Sequence, residues 1–186
     1  MSITYVGLDL SYSGAAMVVL QSDIATGVRF ARNYLFETEK KSFAHPMARL
    51  DCLRDAVHTA LYDQIAIDLV CVEGYSMGSK FGREQAGELG GVVRHMLWEC
   101  GFDYRDVSPS ALKQFVTGKG NADKNVMMQQ VLKKWGYEAA NDNECDAYAL
   151  ARLASQMIQG DGTAAEKAIV AKLLAPPVKK AKRAKA

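Results

Sequence analysis

Hydrophobic and polar positions along the chain fall into short β-like stretches first and helical periods later. Residues 3 to 10 and 15 to 20 are rich in strand-forming residues, and Ser11-Tyr12-Ser13-Gly14 between them suits a tight reversal. A hairpin is predicted there. Val28 to Phe36 sets Val28, Phe30, Arg32, Tyr34 and Phe36 against Arg29, Ala31, Asn33 and Leu35, an alternation that predicts a third strand with one face better buried than the other. From His45 to Tyr62 the apolar residues Met47, Leu50, Leu53, Val57 and Leu61 recur at steps of three and four, which places them on one face of a helix.

The run from Asp68 to Val72 is apolar enough for a central strand covered on both faces, with Glu73 at its end. Arg83 to Glu99 carries Ala86, Leu89, Val93 and Leu97 at helical spacing, and Tyr104 to Val107 forms a fifth strand. Ser108 and Pro109 start a short helix that Gly118 stops; a second runs from Ala122 to Trp135 and ends at Gly136. A long helix begins around Asn141 to Asn143 and runs through Met157, and residues 163 to 175 form an appended helix. The order βββαβαβ followed by helices specifies an α/β domain in which three antiparallel strands are extended by two parallel ones.

The chain has 186 residues, 49% of them hydrophobic, which suffices for one core and is short for two ordinary domains. Apolar runs such as Ala15 to Leu20 fall far short of a bilayer span, and no basic-then-apolar signal pattern opens the chain, so a soluble, cytoplasmic protein with no membrane partner is expected. Cys52, Cys71, Cys100 and Cys145 show no Cys-x-x-Cys pair, which argues against structural zinc and a disulfide framework. The net charge of +2 hides an asymmetry. Without the five basic residues that follow Val178, 18 basic residues face 21 acidic ones, a net of −3. The expected organisation is a core domain over residues 1–160, the appended helix over 161–175, and a basic flexible tail over 176–186 able to neutralise phosphates.

The informative feature is where acids interrupt apolar structure. Asp9 shares a strand face with Tyr5 and Gly7, Glu73 ends its own apolar strand, and Asp146 sits among Cys145, Ala147, Tyr148 and Ala149 with Asp142 one helical turn earlier. Each has a structural reading: Asp9 organises the following turn, Asp142 caps the helix, and Glu73 pairs with Lys80 or Arg83. Taken jointly they have a chemical one, because clustered carboxylates repel and oxygen-only ligands favour Mg²⁺ or Mn²⁺. Two such ions can activate a water and stabilise a leaving oxygen in phosphodiester cleavage.

Gly7-Leu8-Asp9-Leu10-Ser11 with Gly14, then Val72-Glu73, then the run from Asp142 to Ala151, give the chain a resemblance to the RuvC-type Holliday junction resolvases of the ribonuclease H-like superfamily, particularly phage-encoded members. It spans roughly residues 3 to 157. The resemblance implies a ribonuclease H-like fold and a homodimeric, metal-dependent endonuclease placing paired nicks in four-way junctions and other branched DNA, working in the host cytoplasm if phage-encoded. It implies Asp9, Glu73 and Asp146 as ligands of two Mg²⁺ or Mn²⁺ ions. The family's fourth acid falls where this chain has Asn143, so Asp142 is the preferred fourth ligand and Glu144 the fallback. Lys113 and Lys124, flanking Gly118-Lys119-Gly120, are similar to the family's paired lysines near the DNA backbone, with Lys124 assigned to catalysis and Lys119 to DNA contact. Tyr75 and Phe81 are candidates for the aromatic that helps open the junction. Lys80, Arg83 and Arg94, in and just after the glycine-bearing stretch from Gly78 to Gly91, are candidates for phosphate contact, and the same glycines equally suit helix packing at a dimer contact.

Three rival readings remain. Gly74-Tyr75-Ser76-Met77-Gly78 is a literal Gly-x-Ser-x-Gly between a strand and a helix, the context of a serine-hydrolase nucleophile, but the only later histidine is His95 in the very next helix. A non-cleaving protein that recognises branched DNA with the same fold and basic tail is the second. An actin-like phosphotransferase shares the Asp-x-Ser hairpin, but needs two such domains and is set aside.

Overall fold

The computed structural model describes residues 2–12, 14–23, 29–64, 66–74 and 83–175, apart from the side chains of Arg83 and Gln85. Five strands form one sheet: β1 (Ser2–Asp9), β2 (Gly14–Asp23), β3 (Arg29–Glu37), β4 (Leu69–Glu73) and β5 (Tyr104–Val107), in the spatial order β3-β2-β1-β4-β5. Six α-helices flank it among the described residues: α1 (Pro46–Tyr62), α2 (Arg83–Glu99), α3 (Pro109–Thr117), α4 (Lys124–Trp135), α5 (Asp142–Gln159) and α6 (Ala164–Leu174). β1 pairs antiparallel with β2, and β2 with β3, whereas β4 lies parallel to β1 and β5 parallel to β4. The expected sheet of three antiparallel and two parallel strands is therefore the observed one.

Period-two alternation sorts the sheet residues into two cores. Tyr5, Ala16, Val18, Leu20, Cys71 and Val107 face α3, α4, α5 and α6, while Val6, Leu8, Met17, Val19, Val70 and Val72 face α1 and α2. Edge strand β3 is mostly exposed, with only Tyr34 and Phe36 packing partly against the second core. The caps follow the sequence signals. Ser108 accepts from the Ala111 amide, Asp123 from Val126 and Asn141 from Glu144, each cap contributing about 1 kcal/mol, while Gly118 and Gly136 adopt the left-handed conformation that ends α3 and α4. α6 is more than a surface addition: Ile169 and Val170 enter the first core, and a reciprocal capping box joins Thr163 to Glu166.

What locates α5 is Gly7. A Cβ added there would stand 2.5 Å from the Ala151 amide nitrogen and closer still to the Ala147 carbonyl oxygen, so the helix backbone rests directly on β1. Asp9 lies two residues on along the same strand face, at the C-terminal edge of the sheet. Glu73 ends the parallel neighbour at the same edge, with its partner Val107 leading into α3.

Gly7→Ala is expected to cost roughly 3 kcal/mol or more, because the obstruction is the α5 backbone at Ala147 and Ala151 together with the Leu150 Cβ, none of which can turn away. Urea unfolding followed by circular dichroism measures it, with Gly14→Ala, whose added carbon would meet nothing nearer than 3.8 Å, as the tolerant control.

Candidate active site

Asp9, Glu73, Asp142 and Asp146 line one cleft of about 600 Å³, together with Asn143, Lys113 and Lys124. Five separate elements converge to build it. β1 and β4 bring Asp9 and Glu73 side by side, α5 lays its first turns across that edge, and α3 and α4 contribute the two lysines.

Asp9 is only 7% exposed. Burial pushes its carboxyl well above the usual range, and the negative charges of Glu73, Asp146 and Asp142, together with a side-chain hydrogen bond to Glu73, push it further. Burial also raises Glu73, with the Asp9 hydrogen bond, Lys113 and Lys124 opposing the shift. Asp146 is pushed up to about 7, by burial first and then by Glu73 and Asp142. Asp142 behaves oppositely: at the cleft rim it is ion-paired to Lys124, which holds its carboxyl below the usual range. The cap of α5 is Asn141, so Asp142 is left to face the cleft rather than to close the helix.

Asn143 donates from Nδ2 to the carbonyl oxygen of Gly14 at 2.7 Å, tying the start of α5 to the start of β2. Glu144 does not join the cleft. It is buried, accepts from the Tyr137 hydroxyl and the Ala140 amide, and braces the segment leading into α5. That removes it as the fallback fourth ligand, since the helical turn aims it away from Asp146. Lys119 is exposed in the turn after α3 and does not line the cleft. Arg94 is committed elsewhere: its guanidinium bonds the Glu73 carbonyl at 2.9 Å and pairs with Asp106, fixing the end of β4 rather than offering itself to phosphate.

Tyr75, Ser76, Lys80, Phe81 and the side chain of Arg83 lie outside the described residues, as do the pairing of Glu73 with Lys80 or Arg83 and the tail over 176–186. His95, the base required by the serine-hydrolase reading, sits about 18 Å along α2 from its first residue and pairs with Glu99. Arg49 of α1 is a cleft residue that the sequence did not disclose. It bonds the Tyr12 and Thr38 carbonyl oxygens at 2.6 and 2.8 Å and lies over the Tyr12 ring, partners 37 and 11 residues away that no local pattern reveals.

Among the described residues, no three His, Cys, Asp or Glu side chains are already drawn into a metal-holding arrangement. The donor chemistry nevertheless fits a hard divalent cation: the acids offer oxygen alone, and three of them are raised, all by burial first and Asp9 and Asp146 also by repulsion from neighbouring carboxylates, against which Lys113 and Lys124 only partly compensate Glu73 and Asp146. Cys145 also lines the cleft, but burial pushes its thiol up to about 12, and it is no ligand or nucleophile in that state.

No protein-family model and no curated protein matches the chain by sequence. Solved structures do. Thermus thermophilus RuvC superposes with a TM-score of 0.62 at 21% identity, covering 81% of this chain and 91% of that one. The chain has the RuvC fold. Thermus thermophilus RuvC in complex with a Holliday junction substrate gives a TM-score of 0.64 at 19% identity, over 81% of this chain and 90% of RuvC. The RuvC-like fold expected from the sequence is thus the one found. No described helix is long and apolar enough to cross a membrane.

The raised acids have a consequence for stability. A folded state that raises a carboxyl binds protons more tightly than the unfolded chain, so the contribution is fully present in acid and is lost as pH rises through the folded value, about 7 for Asp146. In the presence of a chelator, Asp146→Asn is expected to melt roughly 3 °C or more above the unsubstituted protein at pH 7.5, the difference closing toward pH 4. Mg²⁺ should raise the melting temperature of the unsubstituted protein at pH 7.5 and do so less in the variant, which differential scanning calorimetry reads directly.

Proposed function

We propose that the protein is a structure-selective endonuclease that hydrolyses phosphodiester bonds in branched DNA, four-way junctions included, with divalent cations and as a homodimer. One observation carries this reading: Asp9, Glu73 and Asp146, from three distant parts of the chain, meet in one cleft at the end of a RuvC-fold sheet, where nothing in the fold needs buried negative charge. The solved RuvC complex with a Holliday junction supports the choice of substrate.

Asp9, Glu73 and Asp146 would hold the ions, with Asp142 as the fourth ligand. The ions, Mg²⁺ or Mn²⁺, supply charge neutralisation at the scissile phosphate and a means of activating water. The remaining work belongs to the chain itself. Lys113 and Lys124 place positive charge beside the acids, where they attract a phosphodiester and offset the charge that develops on its oxygens. Lys124 is paired with Asp142 across the cleft mouth, so an arriving phosphate competes for the ammonium while an arriving cation competes for the carboxylate. The two exchanges favour one another. Arg94 keeps Glu73 in register, and Asn143 holds the hairpin turn against α5 so that Asp9 and Asp146 stay opposed. No protein nucleophile is required, and a homodimer would carry two such clefts for paired nicks.

A specific observation favours a second reading. The position where resolvases carry their fourth acid is Asn143, which is engaged with Gly14 and brings no charge, as a non-cleaving junction-binding protein would allow.

A labelled synthetic four-way junction separates the two. With Mg²⁺ or Mn²⁺ the endonuclease yields paired nicks, chelator abolishes them, and Asp146→Asn lowers the cleavage rate at least about 10³-fold while the gel shift of the junction persists. Intact but retarded DNA under every metal condition selects the binding protein. Lys124→Met is expected to reduce cleavage about 10²-fold, a loss larger than its effect on junction affinity.

A further inference from the structure

At the opposite end of α4 from Lys124, a second cleft of about 630 Å³ opens between α4, α5 and β3. Arg29 and Ala31 of β3, Lys134 and Trp135 of α4, and Tyr148 and Arg152 of α5 form its walls. It is separate from the acidic cleft, because α4 alone puts about 16 Å between Lys124 and Trp135.

The charges in this cleft do not balance. Arg29 pairs with Asp161 and also donates to Gln159 at 3.0 Å; Lys134 pairs with Glu166 at 3.1 Å. Arg152 has no such partner among the described residues. Its guanidinium lies 5.2 Å over the Trp135 ring, and its Nε is buried without a hydrogen-bond acceptor. The Nε of Arg29 is also buried and unmatched. Two guanidinium groups thus converge on one cavity with an N–H each unsatisfied and one positive charge in excess. Stacking on tryptophan offsets part of the cost of burying a cation but supplies no acceptor for its N–H groups. Burial and repulsion from Arg29 disfavour the Arg152 charge, and the attraction of Tyr148, Asp161 and Glu166 offsets them only in part, so the pair stands at an energetic disadvantage that an anion in the cleft would reduce.

We infer that this cleft is a binding site for a phosphate group, held by the forked donors of Arg152 and Arg29 and the ammonium of Lys134. Planar guanidinium donors match phosphate oxygens in pairs, which favours phosphate over a halide or a lone carboxylate. The phosphate has two possible sources, a free phosphate ester or the backbone of a DNA strand, and the experiment distinguishes them. The inference does not depend on the nuclease reading, since none of these residues lines the acidic cleft.

The chain has two tryptophans, and Trp98 is 69% exposed on α2, so Trp98→Phe leaves Trp135 as a sole reporter beside Arg152. Titrating that variant with inorganic phosphate, with thymidine monophosphate and with single-stranded oligothymidylate should give a saturable change in Trp135 emission. Saturation by inorganic phosphate or the mononucleotide without competition from the oligonucleotide identifies a free ester; saturation by the oligonucleotide at far lower concentration identifies a DNA strand. Adding Arg152→Met should weaken the response at least tenfold. Ala31→Glu, on an exposed strand position at the cleft wall, should do the same by supplying a resident carboxylate, and circular dichroism checks that both fold. A Trp135 signal that no phosphate compound changes, or one that both substitutions leave intact, overturns the site.

Discussion

The fold turns on how closely α5 can approach β1. Backbone meets backbone at Gly7, and that contact sets the height of the helix above the sheet. Asp9 is two residues beyond the contact on the strand, and Asp146 one residue before Ala147 on the helix, so the distance between the two acids follows from a position that has no side chain. β4 then needs only its parallel register with β1 to deliver Glu73 to the same edge. The carboxylates are brought together by layer packing that stabilises the whole domain, which is why the fold can hold like charges in proximity.

Two kinds of compensation act on those charges. Lys124 neutralises the rim by pairing with Asp142, whose carboxyl is accordingly lowered, while the deeper acids stay raised chiefly by burial, and among the described residues no cation forms an ion pair with them. The cleft is thus graded from a satisfied mouth to an unsatisfied floor. Such a gradient favours a small hard cation at the floor over one at the mouth, where the charge is already met.

Much of this was legible in the sequence, and for identifiable reasons. Period-two alternation located the strands, and it put Asp9 with Tyr5 and Gly7 on the face that α5 covers. Ser108-Pro109 with Gly118, and Asn141 ahead of an apolar-faced helix, carried the helix ends in their own chemistry. What escaped depended on tertiary geometry. Asp142 and Glu144 flank the same residue, and only the direction of the helix decides that one looks into the cleft while the other is buried against Tyr137. Arg49 and Arg94 look like ordinary helical cations until their carbonyl partners, 37, 11 and 21 residues away, come into place. The appended reading of α6 likewise failed to anticipate that Ile169 and Val170 enter the first core, because an eleven-residue segment gives no sign of what it will pack against.

The two-sided sheet also divides evolutionary freedom unequally. The close contact that spaces Asp9 from Asp146 lies on the face covered by α5, whereas α1 and α2 cover the opposite face and reach the site chiefly through the bond from Arg94 to the end of β4. Substitutions among Leu53, Val57, Leu89 and Val93 would tax durability and leave the chemistry's dimensions intact. A lineage of such proteins can therefore redesign one side of the sheet for new surroundings while the other keeps its measurements.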